Sequence, residues 1–123
     1  MNADEKTVLV VEDDSSMRLL CRVNLELRGY RVLEAAMLSE ARELLAAEQI
    51  DFVLLDVHLG GESGYELIET IRERQKARIA LITGSAEVTP EQRELVDTVL
   101  PKPFDPEELT ATLGRMAGAP AQG

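Results

Sequence analysis

Glu12, Asp13 and Asp14 stand in a row directly after an apolar run, and a fourth acid, Asp56, closes another. A hydroxyl, Thr83, ends a third such run, and an ammonium, Lys102, follows a further one. Carboxylates gathered in one place repel and raise one another's pKa unless a cation neutralises them. An all-oxygen donor set calls for a hard divalent ion. Mg2+ is the best match, because it takes one or two carboxylates and completes its shell with water and a phosphate. A lysine as point charge and a threonine as donor both suit phosphoryl oxygens. Together these groups describe a phosphoryl-transfer site with Asp56 as nucleophile. Pro103 follows Lys102, and X–Pro is the one bond where a cis peptide costs little, so a cis Lys102–Pro103 bond aiming the ammonium inward is expected.

Each residue also has an ordinary structural use. Acids 12 to 14 can cap a helix, Asp56 can end a strand in a turn, and Thr83 with Gly84 can form another turn. Asp14 is assigned to capping alone. The chemical reading rests on the order and spacing of the set.

Five short runs rich in Val, Ile and Leu read as the strands that must position these groups: Thr7–Val11, Arg31–Ala35, Phe52–Asp56, residues 79–83 and residues 98–100. Between them apolar residues recur at helical spacing: Met17, Leu20, Cys21 and Leu27; Leu38, Ala41, Leu44 and Leu45; Leu67, Ile68 and Ile71; Leu109, Leu113 and Met116. Asp14 or Ser15 caps the first helix, Gly29 stops it, and Ser39 falls in the first turn of the second. The segment AEVTPEQRELVD predicts a short fourth helix with Pro90 in its first turn. Strand–helix alternation with continuously apolar strands predicts a doubly wound α/β domain, a mostly parallel sheet with helices on both faces. In such sheets the ligand site lies beyond the carboxyl ends of the strands, which is where the acids, Thr83 and Lys102 fall.

A chain of 123 residues, 45% hydrophobic and 29% charged, is sized and composed as one globular domain. The expected division is a domain over residues 1–117 and a small-residue tail, 118–123, that is disordered or begins a linker. With 23 acidic against 13 basic side chains the net charge is −10, which argues against direct nucleic-acid binding. No run approaches the ~18 apolar residues of a membrane span. The start of the chain is short and acidic rather than leader-like, and a cytoplasmic location is expected. Cys21 reads as a small core residue.

The segments VLVVEDDSSMR, FVLLDVHLGGESGYELI, ALITGSA and LPKPFDPEEL, in that order, resemble bacterial response-regulator receiver domains over roughly residues 5–117. The resemblance implies a flavodoxin-like sheet of strand order 2-1-3-4-5. It makes Asp56 the phosphoacceptor, taking its phosphoryl group from a phosphohistidine on a sensor kinase or histidine phosphotransfer protein. Asp13 becomes a direct Mg2+ ligand, Glu12 an acid acting through water, and the backbone carbonyl of His58 a further metal contact. Thr83, followed by Gly84, and Lys102 match the phosphoryl-binding and switch positions, while His58 and Ser85 match positions that tune dephosphorylation. Such a protein is a phosphoacceptor switch in two-component signalling, an enzyme at most toward its own phosphorylation and dephosphorylation. It signals through a downstream protein or an output domain outside this sequence, and a phosphorylation-dependent homodimer is a further expectation.

Three departures stand out. Val99 replaces the aromatic common in the fifth strand, Gly60 replaces a common proline and predicts a looser loop, and the fourth-helix segment is short. Rival readings are a docking module that works without phosphorylation and a Mg2+-dependent aspartate-nucleophile phosphatase. The phosphatase reading lacks the second acid expected two residues after the nucleophile, where His58 stands. A phosphate-bearing cofactor binder would have to overcome the acidic switch point.

Overall fold

The computed structural model of the chain describes residues 5–84 and 88–118. In chain order its elements are β1 (Thr7–Val11), α1 (Ser15–Leu27), β2 (Arg31–Ala35), α2 (Leu38–Ala47), β3 (Phe52–Asp56), β4 (His58–Leu59) and β5 (Glu62–Ser63). They continue with a 3-10 turn over Gly64–Leu67, then α3 (Ile68–Arg74), β6 (Arg78–Thr83), α4 (Pro90–Glu94), β7 (Thr98–Pro101) and α5 (Pro106–Gly118). The main sheet is wholly parallel, ordered β2-β1-β3-β6-β7. With the small β4–β5 hairpin left out of the count, this is the expected 2-1-3-4-5.

Alternate strand residues point to opposite faces, so strands apolar at every position must be covered twice. Val8, Val10, Phe52, Leu54, Ala80 and Ile82 pack with Cys21 and Leu25 of α1 and with Leu109, Leu113 and Met116 of α5. Their neighbours Leu9, Val11, Val53, Leu55, Ile79 and Leu81 pack on the other face with Leu38, Ala41 and Leu45 of α2 and with Ile68 and Ile71 of α3. Burial pushes the Cys21 thiol up to about 12, which makes it an inert core group at neutral pH.

Local signals act where the sequence places them. Asp14 caps α1, its Oδ1 accepting from the Ser16 and Met17 N–H groups at 2.9 and 3.1 Å. Gly29 ends α1 with φ +91°, a conformation costly for other residues. Pro90 opens α4 beside a Thr89–Gln92 capping box, and that helix buries none of its own residues. Two expectations need correcting. The loop around Gly60 is not slack: Gly60 and Gly61 close the β4–β5 hairpin, with Gly60 at φ +62° as a tight hairpin turn demands. Gly118, assigned to the tail, is the last residue of α5; residues 119–123 lie outside the described residues.

The segment after α4 is tied to the sheet by Asp97. Its carboxylate accepts from Ile79 N–H at 2.7 Å and pairs with Arg72 at 3.2 Å, while its own N–H donates to the Ile79 carbonyl at 2.9 Å. Replacing it by alanine leaves the Ile79 N–H without its acceptor. Asp97→Ala is expected to destabilise by about 2 kcal/mol, read as a lower urea midpoint at unchanged slope.

Candidate functional site

The carboxyl ends of β1, β3, β6 and β7 converge at one edge of the sheet, and each delivers a polar group. Glu12 follows β1, Asp56 ends β3, Thr83 ends β6, and all three are buried. Lys102 follows β7. Its N–H donates to the Thr83 carbonyl at 2.8 Å, which ties the ends of β6 and β7 together beneath the site. The Lys102–Pro103 bond is cis, as expected.

Lys102 Nζ lies 2.7 Å from Asp56 Oδ2 and 2.8 Å from Glu12 Oε1. Glu12 Oε2 accepts from Asp14 N–H at 3.1 Å, and Asp56 Oδ1 accepts from His58 N–H at 2.9 Å. One carboxylate oxygen from each of Glu12, Asp13 and Asp56 falls within 4.8 Å of the others, the only such acidic group among the described residues. Burial, then the neighbouring Asp56 carboxyl, push Glu12 up to about 7 despite the pull of Lys102. For Lys102 burial works against the charge, yet hydrogen bonds to Asp56 and Glu12 hold its pKa above the usual lysine value. Two buried acids thus share one lysine, with the carboxylate of Asp13 close beside them. A hard divalent cation fits the donor set, since all its donors are oxygens and added positive charge relieves the repulsion.

The exposed residue His58 lies outside the group of acids; what it contributes here is its main-chain N–H. Gly84 follows Thr83 and is exposed, with open space where a Cβ would project. Ser85 lies outside the described residues. Val99 is only half-buried and packs against the α2/α3 face of the core.

Three features escape the sequence reading. Gly60 N–H donates to Asp13 Oδ2 at 2.9 Å, so the hairpin after β3 is fastened to the acid after β1. Gly64 is buried against the Asp56 backbone, and a Cβ there would run into the Asp56 carbonyl. Arg18 Nη1 donates to the Glu12 carbonyl at 2.8 Å. For Gly64 the available signal was the second glycine-bearing turn in GGESG; for Arg18 it was a basic residue four positions after the cap.

No helix among the described residues is long and apolar enough to cross a membrane. A family model described as "Response regulator receiver domain" matches residues 8–114. The chain is similar to the phosphate regulon transcriptional regulatory protein PhoB of Pseudomonas aeruginosa, 33% identical over 114 residues, covering 88% of this chain and 50% of that protein. It spans about half the length of the curated relatives it matches. Among solved structures, the response regulator TrrA of Thermotoga maritima in complex with Mg(2+)-BeF is similar, with TM-score 0.81 and 28% identity over 90% of this chain and 98% of that one. A response regulator of Burkholderia pseudomallei, solved with a phosphorylated aspartic acid, a calcium ion and citrate, gives TM-score 0.75 and 29% identity over 92% of this chain and 74% of that one. With the acidic edge, the parallel sheet and these matches in agreement, the chain belongs to the response regulator receiver domain family, the phosphorylation-controlled signalling domains of two-component systems.

Proposed function

We propose that Asp56 takes a phosphoryl group from a phosphohistidine on a histidine kinase or phosphotransfer protein, with Mg2+ as the resident cation. The observation that carries this reading is the meeting of three carboxylates within 4.8 Å, with Lys102 Nζ 2.7 Å from Asp56. Asp13 and Asp56 would hold the metal directly, with the His58 backbone carbonyl, and Glu12 would act through water. Bound there, Mg2+ supplies positive charge against carboxylate and phosphoryl oxygens.

A carboxylate oxygen of Asp56 forms the new O–P bond as the N–P bond of the donor breaks, the electron pair leaving with the imidazole. Lys102, already paired with Asp56, then meets a phosphoryl oxygen, and the Thr83 hydroxyl donates to another. Gly84 gives the chain after β6 freedom to follow Thr83, shifting a population of conformers rather than building a new fold. His58, exposed two residues after Asp56, is assigned to tuning hydrolysis of the acyl phosphate, and Ser85 is given the same role. Acceptance and hydrolysis are the only chemistry assigned, within a cytoplasmic domain that runs through α5 to Gly118 and contacts no nucleic acid itself. Readout passes to a downstream protein, an attached output domain or a phosphorylation-dependent homodimer.

Intact mass after incubation with acetyl phosphate tests the assignment. One phosphoryl adduct is expected with Mg2+, none with EDTA, and none for Asp56→Asn. A wild type that takes up neither phosphoryl nor beryllofluoride in Mg2+ would shift the reading to docking without phosphorylation.

A further inference from the structure

We propose that Arg18 is a positioning residue for the acidic site: its guanidinium, braced by Glu34, holds the main chain of Glu12 and Asp13 so that their carboxylates are set for a divalent cation. The inference rests on the metal reading above and adds to it a residue outside the donor set.

The turn between β1 and α1 has to aim two adjacent acids, and its carbonyls precede the helix. They therefore have no place in the helical i→i−4 pattern. Arg18 fills that gap from one turn into α1. Its Nη1 donates to the Glu12 carbonyl at 2.8 Å and reaches the Asp13 carbonyl at 3.4 Å, while its N–H donates to the Asp14 carbonyl at 2.9 Å. The guanidinium is itself held in place, with Nε 3.5 Å from Glu34 Oε1. Glu34 sits on β2, opposite Val10 of β1, and its other oxygen accepts from Arg22 Nη1 at 2.9 Å. A brace therefore runs from the edge strand through Glu34 and Arg18 to the main chain of both acids. Nη1 serves both carbonyls while Nε faces Glu34, a fixed division of donors across the planar guanidinium that a single ammonium reproduces less well.

Charge and position make opposite predictions. Acting only through space, a cation near the site opposes a second cation, and its removal strengthens Mg2+ binding. Acting as a brace, its removal weakens binding, as loss of an outer-shell partner does by about 10-fold or more.

Calorimetric titration of Mg2+ alone into the full chain separates the two, beside urea unfolding of the metal-free variants to show that each is folded. Arg18→Met is expected to weaken Mg2+ about 10-fold, and Arg18→Lys, which keeps charge and fold, about 3-fold on the same scale. Arg28→Met, the same charge change at the far end of α1, leaves affinity unweakened. Glu34→Gln weakens binding in the wild type and adds nothing in Arg18→Met, whereas two independent through-space charges would add. Tighter or unchanged binding in both Arg18 variants overturns the inference while leaving the metal reading intact. A wild type that binds no Mg2+ overturns both.

Discussion

Gly64→Ala is expected to lower stability by about 3 kcal/mol, the upper end of the overpacking range, because the obstructing atoms are backbone. The methyl group would meet the Asp56 carbonyl group and, at 3.3 Å, Leu55 Cδ1. None of these retreats cheaply: β3 is the central strand, paired with β1 and β6, and Gly64 N–H is bonded to the Val57 carbonyl at 2.8 Å. Space rather than conformation is the cause, since Gly64 is absent from the positive-φ residues. The other glycines grade the claim. Gly60→Ala, at φ +62°, is expected to cost about 1 kcal/mol through left-handed strain. Gly61→Ala and Gly84→Ala, with open space around the new methyl, should stay within about 0.5 kcal/mol of wild type. Only Gly64→Ala presses on the backbone of Asp56, the proposed phosphoacceptor. It should therefore also lower the yield of phosphoryl adduct under conditions where the protein remains folded. A urea midpoint like that of Gly61→Ala would refute the steric account.

The contrast between Gly60 and Gly64 shows what was legible in the sequence. Continuously apolar strands announce themselves, and a parallel sheet brings their carboxyl ends to one edge, so Glu12, Asp13, Asp56, Thr83 and Lys102 could be gathered from order alone. Strand ends were less visible, because pairing sets them: β6 begins at Arg78, opposite Phe52, and β7 runs on to Pro101, opposite Thr83. The adjacent glycines read as slack because residue type reports conformational freedom and not what uses it; here a hairpin and a bond to Asp13 use it. Gly64 and Arg18 left signals too weak to assign a role, for a related reason. Their roles depend on carbonyls whose direction is settled only when the turns after β3 and β1 are folded.

Glu12 carries the second large effect. Its carboxyl, 1% exposed, titrates at about 7 against an ordinary 4.5, so between those values the folded chain holds a proton that the unfolded chain has released. Stability from this group is therefore fully present below pH 4.5 and lost as the pH rises through about 7. Two and a half units correspond to about 3 kcal/mol. In EDTA, the wild type is expected to fall by that amount relative to Glu12→Gln between pH 4.5 and pH 8, measured by urea unfolding at intervals across the range. Glutamine keeps the shape and abolishes this titration, so the difference reports the Glu12 carboxyl together with its coupling to its neighbours. Added Mg2+ should narrow the gap from the alkaline side, because a carboxylate that must ionise to serve a cation makes metal affinity rise with pH. Parallel stability curves for the two proteins in EDTA would mean that Lys102 alone neutralises the buried acids, and would remove the electrostatic reason for a cation at this edge.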